Sequence, residues 1–467
     1  MRALRALGMD GAVTYAFLAR LANIAGSAGT VLLIVHYLSA AEQGYYYTLL
    51  SLVSLQIVFE LGFSFVVQQL AAHECVHLEL ERDGTVRGDA AAHARLASAL
   101  RLTVRWYTLA AVAMGLLLAP MGLVFFTRHA APGTAHVDWQ WPWIAAIVAS
   151  VAGLWCVPYY SFIEGCGHVR AVAAMQLRQA IAYAGLAWTA MVLHHGLFAP
   201  ALVIAGQVGI GLHFLFGHRR LLFGLLRHSS REAAIQWRSE VWPFQWRIAV
   251  SWMCSYFTVQ ILIPILFALR GPVQAGQVGM SLSISGYISV LALAWTSTKA
   301  TPFGSLIARG EFERLAQLFR RAIAQSMAVF AAIALLALAA VALLPAAAPR
   351  LAARMVPVSL FALLVMGAAA NHFTQNLAIL LRSFKQEPFL AQSLVVAALN
   401  IALAAVAIPK FGALGAALSY LLATGGAGLP IAWIVYRRAR RGYLNVSSVA
   451  NLAQPCIEQC AQSCDGA

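Results

Sequence analysis

The chain has 467 residues, of which 61% are hydrophobic and only 10% are charged. Soluble domains carry about a quarter charged residues, so a soluble core cannot hide this much apolar surface and the bilayer must solvate most of it. The formal net charge of +15 is spread in short clusters between apolar runs, a pattern that favours membrane topology over nucleic-acid binding.

Taken in chain order, twelve apolar runs are each long enough, at about 20 residues, to cross a bilayer as a helix. The sequence therefore predicts an all-α integral membrane protein of about twelve transmembrane helices. The predicted spans, numbered 1 to 12, fall roughly at 13–37, 45–70, 103–127, 142–164, 173–195, 200–218, 243–269, 276–298, 322–344, 355–381, 388–409 and 413–436. The first apolar run is too long for the core of a cleavable signal peptide, so we expect it to stay in the membrane.

The distribution of Lys and Arg predicts the orientation of these spans. With both termini inside, 26 of the 32 basic residues fall in inside stretches and only 5 in outside ones. By the positive-inside rule this places the N- and C-termini in the cytoplasm. The two long inside loops, at about 71–102 and 218–242, are expected to form short interfacial helices.

The two halves of the chain contain similar turns at corresponding positions. The turn AEQG at 41–44 corresponds to VQAG at 273–276, and both precede a helix. We therefore predict two six-helix, pseudo-symmetric lobes around a central cavity, which is a transporter plan. The predicted division is an N-terminal lobe at 1–218, an inter-lobe cytoplasmic loop at 219–242, a C-terminal lobe at 243–436 and a cytoplasmic tail at 437–467.

Polar side chains form stripes inside several spans, where charge is costly and therefore informative. The candidate substrate-binding residues lie in spans 1, 2, 5 and 7: Arg20, Asn23, Gln56, Arg178, Arg247 and Ser251. At about 1.5 Å per residue, Arg20 lies roughly 10 Å deep and Glu60 of span 2 roughly 15 Å deep, depths that allow the two to pair.

These residues also have structural interpretations. Arg20 and Glu60 can form a purely structural ion pair, and Arg178 and Arg247 can extend toward the headgroups. Serine stripes commonly serve helix packing. His372 in span 10 is expected to be a buried histidine with satisfied hydrogen bonds rather than a proton carrier.

The sequence gives little support for an enzyme. The longest outside loop, at about 128–141, is short, and the chain shows no catalytic triad, metal cluster or phosphate loop. We therefore predict no catalytic residues, no metal site and no cofactor beyond coupling to H⁺ or Na⁺. Cys456, Cys460 and Cys464 have no zinc-type spacing and are expected to belong to an incidental tail.

Several stretches resemble polysaccharide flippases of the MOP (multidrug/oligosaccharidyl-lipid/polysaccharide) exporter superfamily, the Wzx-type flippases of O-antigen and other lipid-linked oligosaccharides. They are LSAAEQGYYYTLLSL at 38–52, FELGF at 59–63, AGQVGM at 275–280, LLRSFKQEPF at 380–389 and KFGALG at 410–415. The resemblance spans about 13–436. It implies two six-helix lobes around a cavity that flips an undecaprenyl-diphosphate-linked oligosaccharide across the bacterial inner membrane for surface polysaccharide, such as lipopolysaccharide O-antigen.

By this resemblance the family's cationic cavity corresponds to Arg20, Arg178 and Arg247, and Glu60 would couple an ion to the return step. The implied partners are the lipid-linked oligosaccharide diphosphate, membrane lipids and other polysaccharide-assembly membrane proteins. The alternatives are a drug or small-molecule cation antiporter of the same superfamily, a membrane glycosyltransferase or polymerase, and a non-transporting scaffold. An arginine excess argues for an anionic cargo and against cationic drugs.

Overall fold

The computed structural model describes residues 11–76, 78–80, 86–129, 137–227, 237, 241–384 and 388–441. The tail with Cys456, Cys460 and Cys464 lies outside these residues. The described chain is almost entirely helical, with one two-stranded hairpin.

The first half contains nine helices and the hairpin. They are α1 (Gly11–Tyr37), α2 (Ala40–Val53), α3 (Gln56–Glu60), α4 (Phe63–Cys75), β1 (Leu78–Leu80), β2 (Val86–Gly88), α5 (Ala90–His129), α6 (Gln140–Gly165), α7 (Val169–Val192), α8 (Ala199–Gly217) and α9 (Arg219–Arg227). A short 3₁₀ turn, Gly196–Phe198, precedes α8.

The second half contains nine further helices. They are α10 (Trp242–Val259), α11 (Leu262–Arg270), α12 (Pro272–Ser297), α13 (Ala300–Ala308), α14 (Phe312–Ala347), α15 (Pro349–Ala352), α16 (Val358–Arg382), α17 (Leu390–Phe411) and α18 (Ala413–Leu421). After α18 the last span passes through a π-helical stretch, Leu422–Gly428, and continues to Arg441.

Ten of the described helical segments are long and apolar enough to cross a membrane. The two remaining predicted spans are helical as well, since span 2 is formed by α2 to α4 and span 5 by α7. The fold class is therefore confirmed as an all-α integral membrane protein. The hairpin is a small addition outside the spans.

The described helices fall into two compact units. One comprises 1–256 and 260–280, and the other comprises 257–259 and 281–467. Most of α10 and all of α11 thus pack with the first half of the chain. The lobe division at residues 218 and 243 stays a prediction.

Local sequence explains where α2 begins. Ser39 is the N-cap, and its hydroxyl accepts a hydrogen bond from the Glu42 amide at 3.1 Å. The Ser39 amide in turn donates to Glu42 Oε2 at 2.7 Å. This reciprocal capping box satisfies two amides that the first turn of a helix leaves without partners, so α2 starts at a sharp corner three residues after α1 ends.

The two long inside loops differ from one another. In the first, Leu78–Leu80 and Val86–Gly88 pair as antiparallel strands, where we had expected an interfacial helix, so that expectation is wrong for these residues. In the second loop the expected helix is present as α9, which buries Leu221, Leu222 and Leu225 within the protein and exposes its arginines. Its position at the membrane interface stays a prediction.

Candidate functional site

Helices α1 and α7 form a parallel pair within the first unit. Arg170 stacks over Tyr15 at 5.8 Å near the start of both helices. Further along, the Trp188 indole N–H donates to the carbonyl of Gly26 at 3.3 Å. Small residues of α1 permit this approach, since a Cβ at Gly26 would lie 3.0 Å from that of Ala184.

The register of this pair places Arg178 level with Arg20 and Asn23. All three side chains are exposed within the described unit. Helix α7 starts at Val169, four residues earlier than predicted, so Arg178 lies nine residues, or about 13 Å, from its start. Both arginines belong to predicted spans, where a guanidinium facing hydrocarbon is costly, and this favours aqueous surroundings for both.

The second set of candidate residues surrounds a break in span 2. Helix α3 ends at Glu60, and α4 begins at Phe63, because Leu61 and Gly62 both adopt left-handed backbone angles, with φ of 53° and 63°. The Ser64 hydroxyl donates to Glu60 Oε1 at 2.5 Å. The carboxylate thus sits where a membrane helix is interrupted, a setting in which transporters hold ions and substrates.

Helix α10 packs antiparallel against this break. A Cβ at Gly62 would lie 2.7 Å from Ile248 and 3.4 Å from Trp252. Further along, the Ser51 hydroxyl donates to the carbonyl of Gln260 at 2.7 Å.

This antiparallel register places two more candidates near the break. Ser251 lies level with Glu60, and Arg247 lies one turn farther toward the start of α10. Ser251 is buried, whereas Arg247 is exposed and stacks over Trp246 at 5.6 Å. Gln56 lies one turn before Glu60 and is half-buried.

The ion pair that the depths of Arg20 and Glu60 would allow is not formed. Within the described part of the chain, the Glu60 carboxylate has no Lys or Arg group within 4 Å, and the hydrogen bond to Ser64 is what holds it. The structure therefore groups Arg20, Asn23 and Arg178 on α1 and α7, and Gln56, Glu60, Arg247 and Ser251 around the break.

Sequence analysis missed an aromatic cluster beside the break. Phe63 packs on Tyr107, Trp106 and Trp237, with ring centroids 5.9, 6.1 and 5.0 Å away. Tyr107 is buried, and the Trp106 indole N–H has no hydrogen-bond partner among the described residues. The adjacent aromatic residues at 106 and 107 are visible in the sequence. Residue 237 is too remote along the chain for the sequence to show that its ring joins them.

The polar stripes of spans 8 and 10 form a closed network in the second unit. His372 Nδ1 lies 3.0 Å from the Ser289 hydroxyl, and Nε2 lies 2.9 Å from the Ser326 hydroxyl. Asn376 donates to the carbonyl of His372 at 2.8 Å and accepts from Thr296. Both ring nitrogens are satisfied and the ring is buried, so the prediction of a buried histidine with satisfied hydrogen bonds is confirmed.

Metal binding has no visible basis in the described ranges. No three His, Cys, Asp or Glu side chains come together there in a way that could hold an ion. The site instead offers guanidinium groups, amides, a hydroxyl and a carboxylate in a helix break. Such a set can bind an anionic, hydroxyl-rich molecule and a small monovalent cation.

Comparison with known proteins gives matches at the level of structure alone. No family model matches the sequence, and no curated protein matches it. Among solved structures, an inward-facing multidrug resistance MATE family transporter of the MOP superfamily aligns with a TM-score of 0.60 at 13% identity, covering 92% of this chain and 95% of that one. The chain has the fold of the MOP superfamily transporters.

Two further neighbours extend this likeness. The lipid II flippase MurJ, in an inward closed conformation, aligns with a TM-score of 0.50 at 12% identity, covering 95% of this chain and 92% of that one. A MOP superfamily transporter from Pyrococcus furiosus, described as having a binding pocket of reverse polarity that suggests a different function, aligns with a TM-score of 0.53 at 13% identity, covering 93% and 97%. These structural neighbours are thus two transporters and a flippase.

Proposed function

We propose that this protein flips an undecaprenyl-diphosphate-linked oligosaccharide across the bacterial inner membrane by alternating access, for surface polysaccharide synthesis. The observation that carries the proposal is the level placement of Arg20 and Arg178 on the paired helices α1 and α7, with both side chains exposed. A planar guanidinium binds a diphosphate through two parallel hydrogen bonds, and the charge stays on at every physiological pH.

The neighbouring polar groups suit the rest of such a molecule. Asn23 lies one turn from Arg20, and Gln56 and Ser251 lie near the helix break. Amides and hydroxyls of this kind hydrogen-bond to sugar hydroxyls. Arg247 lies nearer the start of α10, where it would meet the diphosphate as the molecule enters from that side.

Glu60 is our candidate for ion coupling. Its carboxylate lies at the end of α3 and beside the start of α4, and only Ser64 is bonded to it among the described side chains. Interrupted membrane helices commonly form ion sites because their free backbone groups add to the side-chain ligands. A proton or Na⁺ bound at Glu60 would drive the return of the empty transporter.

The proposed location is the bacterial inner membrane, with both termini in the cytoplasm. The excess of basic residues on one side of the predicted topology supports this orientation, and the exposed arginines of α9 belong to a basic loop predicted on that side. On this view the partners are the lipid-linked oligosaccharide, membrane lipids and other membrane proteins of polysaccharide assembly.

Export of cationic drugs is the second candidate function. It is favoured by the fold likeness to a multidrug resistance transporter. On this alternative Glu60 would hold the cationic cargo directly. The arginines at 20, 178 and 247 argue against it, because they would repel such a cargo.

A deletion strain separates the two functions. Loss of surface polysaccharide, together with accumulation of lipid-linked repeat units on the cytoplasmic leaflet, is the expected result. Arg178→Ala should fail to restore the polysaccharide, whereas Arg170→Ala, on the same helix near its start, should restore it. Normal polysaccharide with altered drug tolerance would overturn the proposal in favour of drug export.

A further inference from the structure

A small cavity opens at the basic end of three helices in the second unit. Its volume is about 50 Å³, and its walls come from α14, α16, the turn after α16 and the last helix. The lining residues are Phe312, Leu315, Ala316, Phe319, Leu380, Leu381, Phe384, Tyr436 and Arg440. Eight of these side chains are aliphatic or aromatic, and Arg440 is the single cation among them.

The cavity lies among tightly packed side chains. Leu315, Phe319, Leu380 and Leu381 are each at least 94% buried and belong to one apolar cluster. The Phe319 and Tyr436 rings pack at 6.0 Å. Packed walls of this kind give the cavity a fixed shape.

Two arginines lie near the cavity. Arg440 is one of its lining residues, and Arg320 is the residue that follows Phe319 on α14. Both act electrostatically on the Tyr436 hydroxyl. Neither lies within 4 Å of a described carboxylate, whereas nearby Arg314 is paired with Glu311 at 2.6 Å.

We propose that this cavity and its two arginines form a binding site for an anionic phospholipid of the leaflet at the basic end of the helices. The phosphate would lie between Arg320 and Arg440, and the upper part of one acyl chain would enter the apolar cavity. This site is separate from the one proposed for transport, and its occupancy does not depend on what the protein carries.

The chemistry of the site selects this class of ligand. A cavity of about 50 Å³ with apolar walls is too small and too dry for a sugar, but it accepts a few methylene groups. Two unpaired cations beside it favour a negative headgroup over a zwitterionic one. Basic pockets between membrane helices on the cytoplasmic side are recognised settings for anionic lipids.

The test measures lipid adducts on the purified full chain by native mass spectrometry, with phosphatidylglycerol and phosphatidylcholine as probes. We expect phosphatidylglycerol to bind preferentially to the wild type. The double variant Arg320→Gln/Arg440→Gln should bind it at least about tenfold more weakly. The matched control Arg437→Gln/Arg441→Gln removes the same charge from the last helix and should retain binding.

A third variant tests the cavity without changing the charge beside it. Ala316→Phe fills it and should also abolish phosphatidylglycerol binding, while both arginines remain. The proposal would be overturned if the two double variants weakened phosphatidylglycerol binding equally, or if the wild type bound the two lipids equally well. Unchanged unfolding temperatures of the variants in phosphatidylcholine show that each is folded.

Discussion

Gly44 in α2 and Gly276 in α12 cross with their backbones in direct contact. A Cβ at Gly276 would lie 2.9 Å from the amide nitrogen of Gly44, and a Cβ at Gly44 would overlap the carbonyl of Pro272. Beside the crossing, Gln43 Nε2 donates to the carbonyl of Gly276 at 3.0 Å. The two similar turns at 41–44 and 273–276 are therefore in direct contact.

This crossing predicts a stability effect of single methyl groups. Gly44→Ala and Gly276→Ala should each lower the free energy of unfolding by about 1–3 kcal/mol, because backbone atoms cannot move aside as a flexible side chain can. Thermal unfolding in detergent measures the change. Gly209→Ala is the control, since nothing lies within 4 Å of its added Cβ, and an equal loss there would contradict the explanation.

The break in span 2 predicts that Gly62 tolerates no side chain. Gly62→Ala combines a left-handed backbone angle with a contact of 2.7 Å to Ile248, so it should reduce both folded yield and transport. Gly286→Ala in α12, which meets open space, should leave both unchanged. A fully stable and active Gly62→Ala protein would show that the break is not required.

The His372 network predicts non-additive losses of stability. Replacing His372 by Ala leaves the Ser289 and Ser326 hydroxyls without their ring partner and should cost about 2–4 kcal/mol. Ser326→Ala removes the hydroxyl that contacts His372 and donates to the carbonyl of Ala292 at 2.9 Å, but it deletes only one buried atom and leaves a much smaller cavity, so it should cost less. A double-mutant cycle on unfolding temperatures should give a coupling energy above about 0.5 kcal/mol, and simple additivity would argue against a shared network.

The turn between α6 and α7 predicts a pH dependence. Burial, together with the His218 ring 5.4 Å away, holds the pKa of His168 below its ordinary value. The unfolded chain therefore takes up a proton first as the pH falls, and stability should decrease below about pH 6.5.

His168→Gln should flatten this decrease, whereas His195→Gln should not. Unfolding temperatures between pH 5 and 8 provide the measurement. An unchanged pH profile in His168→Gln would show that other groups set the dependence.

Much of the fold could be predicted from the sequence because each span has a direct signal in hydrophobicity. The exact course of span 2 could not, since the left-handed angles of Leu61 and Gly62 depend on α10 packing against them. The strands Leu78–Leu80 and Val86–Gly88 did have a signal in the sequence, since apolar and charged residues alternate at 78–81 and an Asp-Gly pair follows at 83–84. The prediction of a helix there overlooked that signal.

The site was predicted in part. The stripes identified which residues are polar inside the membrane, but helical periodicity says nothing about which helices are neighbours. It therefore could not show that Arg178 lies level with Arg20, or that Glu60 bonds to Ser64 and to no arginine. The aromatic cluster at Phe63 was missed for the same reason, since Trp237 is remote in sequence.

Transport by the purified protein in proteoliposomes tests the central proposal most directly. The assay follows movement of a fluorescent undecaprenyl-diphosphate oligosaccharide between leaflets, with a cationic dye as the competing cargo. We predict that the wild type flips the lipid and that Arg178→Ala slows it at least about tenfold, with Arg170→Ala unaffected. Movement of the dye alone, or flipping that is indifferent to Arg178, would contradict the account.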